Sequence, residues 1–111
     1  MPSLRLIVLR SPKLDTLRSF YELLGMSFTE EKHGKAPRHF AATLGELVLE
    51  LYPGADESPV RLGFCVANLD EIVQTFKAGG GAVKEAPHEN ERGYQTVLVD
   101  PDGRMIELTQ E

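Results

Sequence analysis

Asp100-Pro101-Asp102-Gly103-Arg104-Met105-Ile106-Glu107-Leu108-Thr109 reads as a tight turn feeding directly into a strand, with one carboxylate set among apolar side chains. Pro and Gly between two Asp residues make the turn, and alternation of Met105, Glu107 and Thr109 against Ile106 and Leu108 makes the strand. The same arrangement occurs earlier: Leu44-Gly45-Glu46 turns into Leu47-Val48-Leu49-Glu50-Leu51-Tyr52. Upstream of each closing strand lies the same order of elements. The first half reads strand (Leu4–Leu9), helix (Leu14–Leu24) and three strand-like runs; the second reads strand (Arg61–Val66), helix (Leu69–Ala78) and three more. Two βαβββ units, each closed by a strand carrying Glu, therefore predict an α+β fold of curved mixed sheets around a cavity with helices outside. Burying a carboxylate without a partner is costly, so a metal, a cation or a ligand is expected to meet Glu50 and Glu107, unless both face solvent at strand ends.

The helix limits follow from local chemistry. Ser11-Pro12 is expected to open the first helix, with the Ser hydroxyl capping orphan amides and Pro in the first turn. Leu14, Leu17, Tyr21 and Leu24 recur at helical spacing, and Gly25 suits the left-handed position beyond the helix end. Asn68-Leu69-Asp70-Glu71 resembles a capping box, and Leu69, Ile72, Val73 and Phe76 form a buried stripe that stops at Gly79-Gly80-Gly81. Residues from about 53 to 59 are polar with two prolines and join modules at about 3–52 and 60–111 into a single domain.

Composition narrows the function. A chain of 111 residues, 41% apolar and 26% charged, is that of an ordinary globular domain. Its net charge of -5 argues against nucleic acid or an anionic membrane as a partner. Cys65 is the only cysteine, expected as a small core residue, and with no long apolar stretch a cytoplasmic location is expected. Alternation puts Leu4, Leu6, Val8 and Arg10 on one face of the first strand, and Val48, Glu50 and Tyr52 on one face of the closing strand. Opposite the helices, the face carrying Arg10, Glu50, Arg61 and Glu107 has the composition of a ligand cavity.

The motifs Arg10…Phe20-Tyr21-Glu22-Leu23-Leu24-Gly25, Gly45-Glu46-Leu47-Val48-Leu49-Glu50-Leu51 and Asp100–Leu108 resemble the glyoxalase I / bleomycin-resistance / extradiol-dioxygenase superfamily, the vicinal oxygen chelate proteins, over nearly the whole chain. The resemblance implies four metal-ligand positions in the metal-dependent glyoxalases, which fall here on Leu6, Glu50, Arg61 and Glu107. Leu6 cannot ligate, and Arg61 stays protonated and repels a cation. Arg61 is therefore expected to replace the metal by pairing with Glu50, Glu107 or both, and no cofactor is expected. The function implied is metal-independent binding of a small organic molecule, by sequestration or sensing. The alternative is a glyoxalase-like lyase, isomerase or dioxygenase using a divalent metal on Glu50 and Glu107 with further ligands. Arg10 matches a position that holds a substrate carboxylate in glutathione-using relatives, which suits an anionic ligand, although a plain surface role fits equally. Tyr52 shares the face of Glu50, and His88, in the Pro87–Gly93 loop, is placed at the cavity mouth or simply on a loop. His33 and His39 flank a five-residue turn and are expected as partly exposed hairpin residues, since two histidines alone are an incomplete metal site. Sheet edges left uncovered, and the habit of the superfamily, imply a homodimer whose cavity lies within one chain or is shared between two.

Overall fold

The computed structural model describes residues 3–55 and 60–111 and contains eight strands and two α-helices among them. The chain divides into two compact units, Met1–Glu57 and Ser58–Glu111, and each is a βαβββ module. The expected linker lies partly outside the described residues, at 56–59. No helix among the described residues is long and apolar enough to cross a membrane.

In the first module β1 (Leu6–Ser11), α1 (Leu14–Leu23), β2 (Thr29–Glu31), β3 (His39–Leu44) and β4 (Leu47–Pro53) form a mixed sheet in the order β1-β4-β3-β2. β1 lies parallel to β4, with Leu6 opposite Val48, Val8 opposite Glu50 and Arg10 opposite Tyr52. β3 lies antiparallel to β4, with Ala41 opposite Glu50, and β2 pairs with β3 so that Glu31 faces His39. Leu9, Leu49, Leu51 and Phe40 turn to the helix side and are buried with Leu17, Phe20 and Tyr21 of α1. Burying each such side chain contributes about 1.5–3 kcal/mol, enough to select this register. The opposite face is open: Leu4, Leu6 and Val8 are 68, 51 and 37% exposed.

The second module repeats the plan with β5 (Leu62–Val66), α2 (Leu69–Ala78), β6 (Val83–Asn90), β7 (Gly93–Val99) and β8 (Met105–Gln110), in the order β5-β8-β7-β6. Ile106, Leu108, Leu98 and Val66 are buried, as are Leu69, Ile72 and Val73 of α2. Cys65 is exposed on β5, contrary to its expected place in the core, because the pleat puts it on the face of Gly63, away from Val66.

Both helices begin at the expected residues, Leu14 and Leu69, but their capping contacts differ from expectation. Ser11 ends β1, Lys13 takes the N-cap position and α1 begins at Leu14; the buried Ser11 hydroxyl accepts the Lys13 amide at 2.9 Å. Asn68 does not cap α2 with its side chain, which instead donates to Glu71 at 3.3 Å. The Leu69 amide is taken by the Gln110 side chain (2.9 Å), whose amide group also donates to the Ala67 carbonyl (2.7 Å). A residue 41 positions away has displaced the local cap. Gly25 adopts φ +109°, as expected at the end of α1.

The turn before β8 is built on Asp100. Its Oδ1 accepts the Asp102 and Arg104 amides at 2.9 and 3.0 Å, and Oδ2 accepts the Arg104 guanidinium at 2.9 Å. The two side chains are 0 and 4% exposed, so the pair is charged, buried and hydrogen-bonded. Arg104→Met should lower stability by about 3 kcal/mol, since Asp100 loses its buried counter-charge. Asp102→Asn, 3.5 Å from the guanidinium and still offering it an acceptor oxygen, should cost less than Arg104→Met when both variants are titrated with urea.

Candidate functional site

The open face of the first module carries a row of polar and aromatic groups, one from each strand. β1 supplies Arg10, β4 Tyr52, β3 His39 and β2 Glu31, and the register sets them side by side. The Arg10 guanidinium lies 5.4 Å from the centre of the Tyr52 ring, and Tyr52 stacks on His39 with ring centres 4.3 Å apart and planes 6° from parallel. Tyr52 is thus flanked by a cation from one neighbouring strand and an aromatic ring from the other.

His39 is 2% exposed, not the partly exposed hairpin residue expected. Its Nδ1 lies 3.2 Å from the Pro37 carbonyl, which can only accept, so Nδ1 carries the proton of that bond. Nε2 is thereby turned toward two carboxylates, Glu31 Oε1 at 3.7 Å and Glu50 Oε2 at 3.6 Å. Across the turn His33 approaches, its ring centre 5.6 Å from that of His39 and its Nε2 3.4 Å from Glu31 Oε2. Glu50, half-buried in the closing strand, therefore meets a histidine that the sequence reading placed elsewhere.

In the second module Glu107 has a different partner. Arg92, at the β6–β7 turn, places its guanidinium 3.4 Å from Glu107 Oε1; the side chains are 73 and 18% exposed. Arg61 is exposed and precedes β5, and among the described residues of its module it forms no ion pair with Glu107. The cation beside Glu107 is therefore Arg92, from the turn between β6 and β7, and not Arg61, which precedes β5. Gly63, opposite Glu107, leaves one flank of that carboxylate without a side chain. Gln95 links Asn90 (2.7 Å) and Thr109 (2.8 Å) on the same sheet. His88 lies within β6, paired with Gln95, rather than in a loop; register shifts near Pro87 keep that strand irregular, and the exposed ring contacts the Ala86 carbonyl at 2.9 Å. On β7 the Tyr94 hydroxyl donates to Asp70 of α2 at 2.7 Å, which holds the phenol above its ordinary pKa by favouring the protonated donor.

The residues at the superfamily's metal positions do not fit a metal. Leu6 has no donor atom and is half-exposed on β1, and Arg61 is a fixed cation outside its strand.

The chain matches the Glyoxalase/Bleomycin resistance protein/Dioxygenase superfamily over residues 3–108. An uncharacterized protein of Mycolicibacterium smegmatis is 30% identical over 106 residues, covering 92% of this chain and 88% of that one. TnmS3, an antibiotic binding protein from Streptomyces sp. CB03234, has the same fold with a TM-score of 0.75 at 22% identity, over 99% of this chain and 96% of that one. A lactoylglutathione lyase from Agrobacterium tumefaciens superposes with a TM-score of 0.64 at 19% identity, over 97% and 92% of the two chains.

Because His39 is buried, stacked and hydrogen-bonded, His39→Ala should cost about 2–3 kcal/mol in a denaturant titration. His33→Ala, at a side chain 71% exposed, should change stability by less than about 0.5 kcal/mol.

Proposed function

The chain belongs to the Glyoxalase/Bleomycin resistance protein/Dioxygenase superfamily, and on that premise we propose that it binds a small organic molecule, by sequestration or sensing, without the superfamily's metal. The observation that carries this reading is the donor set: of the four metal positions only Glu50 and Glu107 keep an oxygen ligand. A divalent ion as lyase or dioxygenase cofactor would need nitrogen or oxygen donors where Leu6 and Arg61 stand. The likeness to TnmS3, an antibiotic binding protein, supports the choice of a binding protein.

Arg10, Tyr52 and Glu50 are the contacts we assign to the ligand on the first module. An exposed guanidinium beside a flat aromatic pair suits a planar molecule bearing a carboxylate or similar anion, and Leu6 and Val8 add apolar surface. On the second module Glu107 offers a half-buried acceptor, with the exposed Arg61 and His88 accessible to polar groups of a ligand. We further infer a homodimer, since β1 and β5 are edge strands and β1 exposes Leu6 and Val8 on its open face. The single thiol fits a reducing, cytoplasmic setting.

Calorimetric screening of planar aromatic carboxylates and antibiotics, run with a chelator present, should find a ligand. Arg10→Ala and Tyr52→Ala should each weaken its binding about tenfold, equivalent to roughly 1.4 kcal/mol. A ligand whose binding disappears with chelator and returns with Ni²⁺ through Glu50 and Glu107 would replace this reading with the enzymatic one. Light scattering of the purified chain at micromolar concentration should give twice the monomer mass, and a monomer there would remove the dimer.

A further inference from the structure

We propose that the β2–β3 hairpin of the first module is a Zn²⁺ site held by Glu31, His33 and His39, with Glu50 closing the coordination shell. This site shares only Glu50 with the four positions used by metal-dependent members of the superfamily and takes its three other ligands, Glu31, His33 and His39, from the β2–β3 hairpin; it goes beyond the binding of a small organic molecule. One carboxylate oxygen and two ring nitrogens, from Glu31, His33 and His39, all lie within 4.8 Å of one another. Two of the three close pairs are too long to be good hydrogen bonds: Nε2 of His39 stands 3.7 Å from Glu31 and 3.6 Å from Glu50. The third, His33 Nε2 to Glu31, is 3.4 Å. Charge-assisted hydrogen bonds between nitrogen and oxygen close to about 2.7–2.9 Å. Ligand atoms bonded to one tetrahedral Zn²⁺ at about 2.0–2.1 Å stand roughly 3.3–3.4 Å apart, so a bound ion would draw the three groups, now within 4.8 Å of one another, closer together.

The surroundings of His39 are those of a metal ligand. Its Nδ1 donates to the Pro37 carbonyl, so Nε2 is the ring atom that faces the carboxylates. Hydrogen bonding of the outer ring nitrogen to a backbone carbonyl is the usual way a protein fixes the tautomer and direction of a ligating histidine. The ring plane is held by the stack on Tyr52, and the side chain is almost fully buried. A divalent ion between the ring and the two carboxylates would take the neutral Nε2 as a ligand and offset the carboxylate charge. Two carboxylates and two neutral imidazoles carry together the charge of -2 that a divalent ion cancels.

Sequence and turn chemistry assemble the remaining ligands locally. Glu31 is directly opposite His39 in the β2–β3 register. Gly34 at φ +58° and the Ala36 amide bonded to the His33 carbonyl (2.9 Å) fold the turn so that His33 comes back over the hairpin. His33 is the exposed ligand and gives the ion its route from solvent.

The test uses the full-length chain without an affinity tag, stripped by chelator and titrated with Zn²⁺ against a chromophoric competitor. One ion per chain is expected, and Co²⁺ in its place should give the intense visible bands of four-coordinate cobalt. His33→Gln and Glu31→Gln, both at accessible positions, should each weaken Zn²⁺ binding at least about tenfold without unfolding the protein. His39→Gln should abolish it, and circular dichroism of the same sample separates ligand loss from misfolding. Well under one ion per chain would overturn the proposal, as would His33→Gln and Glu31→Gln variants that bind like wild type. Loss of the ion in Glu107→Gln with His33→Gln unaffected would move it to the superfamily's position and overturn the proposal as well. Because the probe is the metal alone, the result is independent of whether an organic ligand is ever found.

Discussion

Parallel pairing of the first strand of each module with its last is the constraint on which the rest depends. β1 beside β4 and β5 beside β8 make the closing strand an interior strand, with an antiparallel neighbour on its other side. An interior strand covered by a helix on one face must alternate without error, since a slip of one residue would carry Glu50 or Glu107 under the helix and Leu51 or Leu108 out of it. The same pairing lines up Arg10, Tyr52, His39 and Glu31 across four strands, so the candidate site is a consequence of register and not of any single loop.

The two modules share topology but settle their central carboxylates in different ways. Glu50 meets a buried imidazole supplied by the neighbouring hairpin, whereas Glu107 meets an exposed guanidinium from a turn. The exposed pair is the weaker in stability, being screened by solvent. The same distinction separates Asp100–Arg104, buried and structural, from the surface cluster in which Arg38 bonds Glu30 and reaches Asp15 at 3.2 Å. The hydrogen bond that Arg38 donates to Glu30 pushes the guanidinium pKa further up, but a group so exposed contributes little to folding.

Much of this was legible in residue order. Period-two alternation located both closing strands and assigned Glu50 and Glu107 to the correct pleat, and helical spacing located both helices to within a residue or so. What escaped was set by contacts distant in sequence. Gln110 took the amide that Asn68 was expected to cap, and no local pattern announces a glutamine arriving from the other end of the module. Arg61 and Arg92 are both exposed arginines, and nothing in the sequence around them signals that the β6–β7 turn brings Arg92 to Glu107. The burial of His39 was hidden for a similar reason. A histidine beside Pro37 and Gly34 looks like a turn residue, and its enclosure comes from Tyr52 and two carboxylates on other strands. A Glu-x-His pair preceding it, Glu31 and His33, was the one available signal for a fuller ligand set.

The position of the closing strand also bears on how the chain is made. β5 has only β8 as a sheet neighbour, and β8 spans Met105–Gln110, so the ribosome delivers some 40 residues between the two partners. During that interval Leu62–Val66 has helix and hairpin neighbours forming around it but no strand to bond, and its backbone amides stay in water. The β6–β7 hairpin, by contrast, pairs through adjacent residues as soon as it is synthesised. In each module the first strand therefore has no sheet partner until the last strand has been made, so the hydrogen-bonded ladder is complete only with the module's final residues.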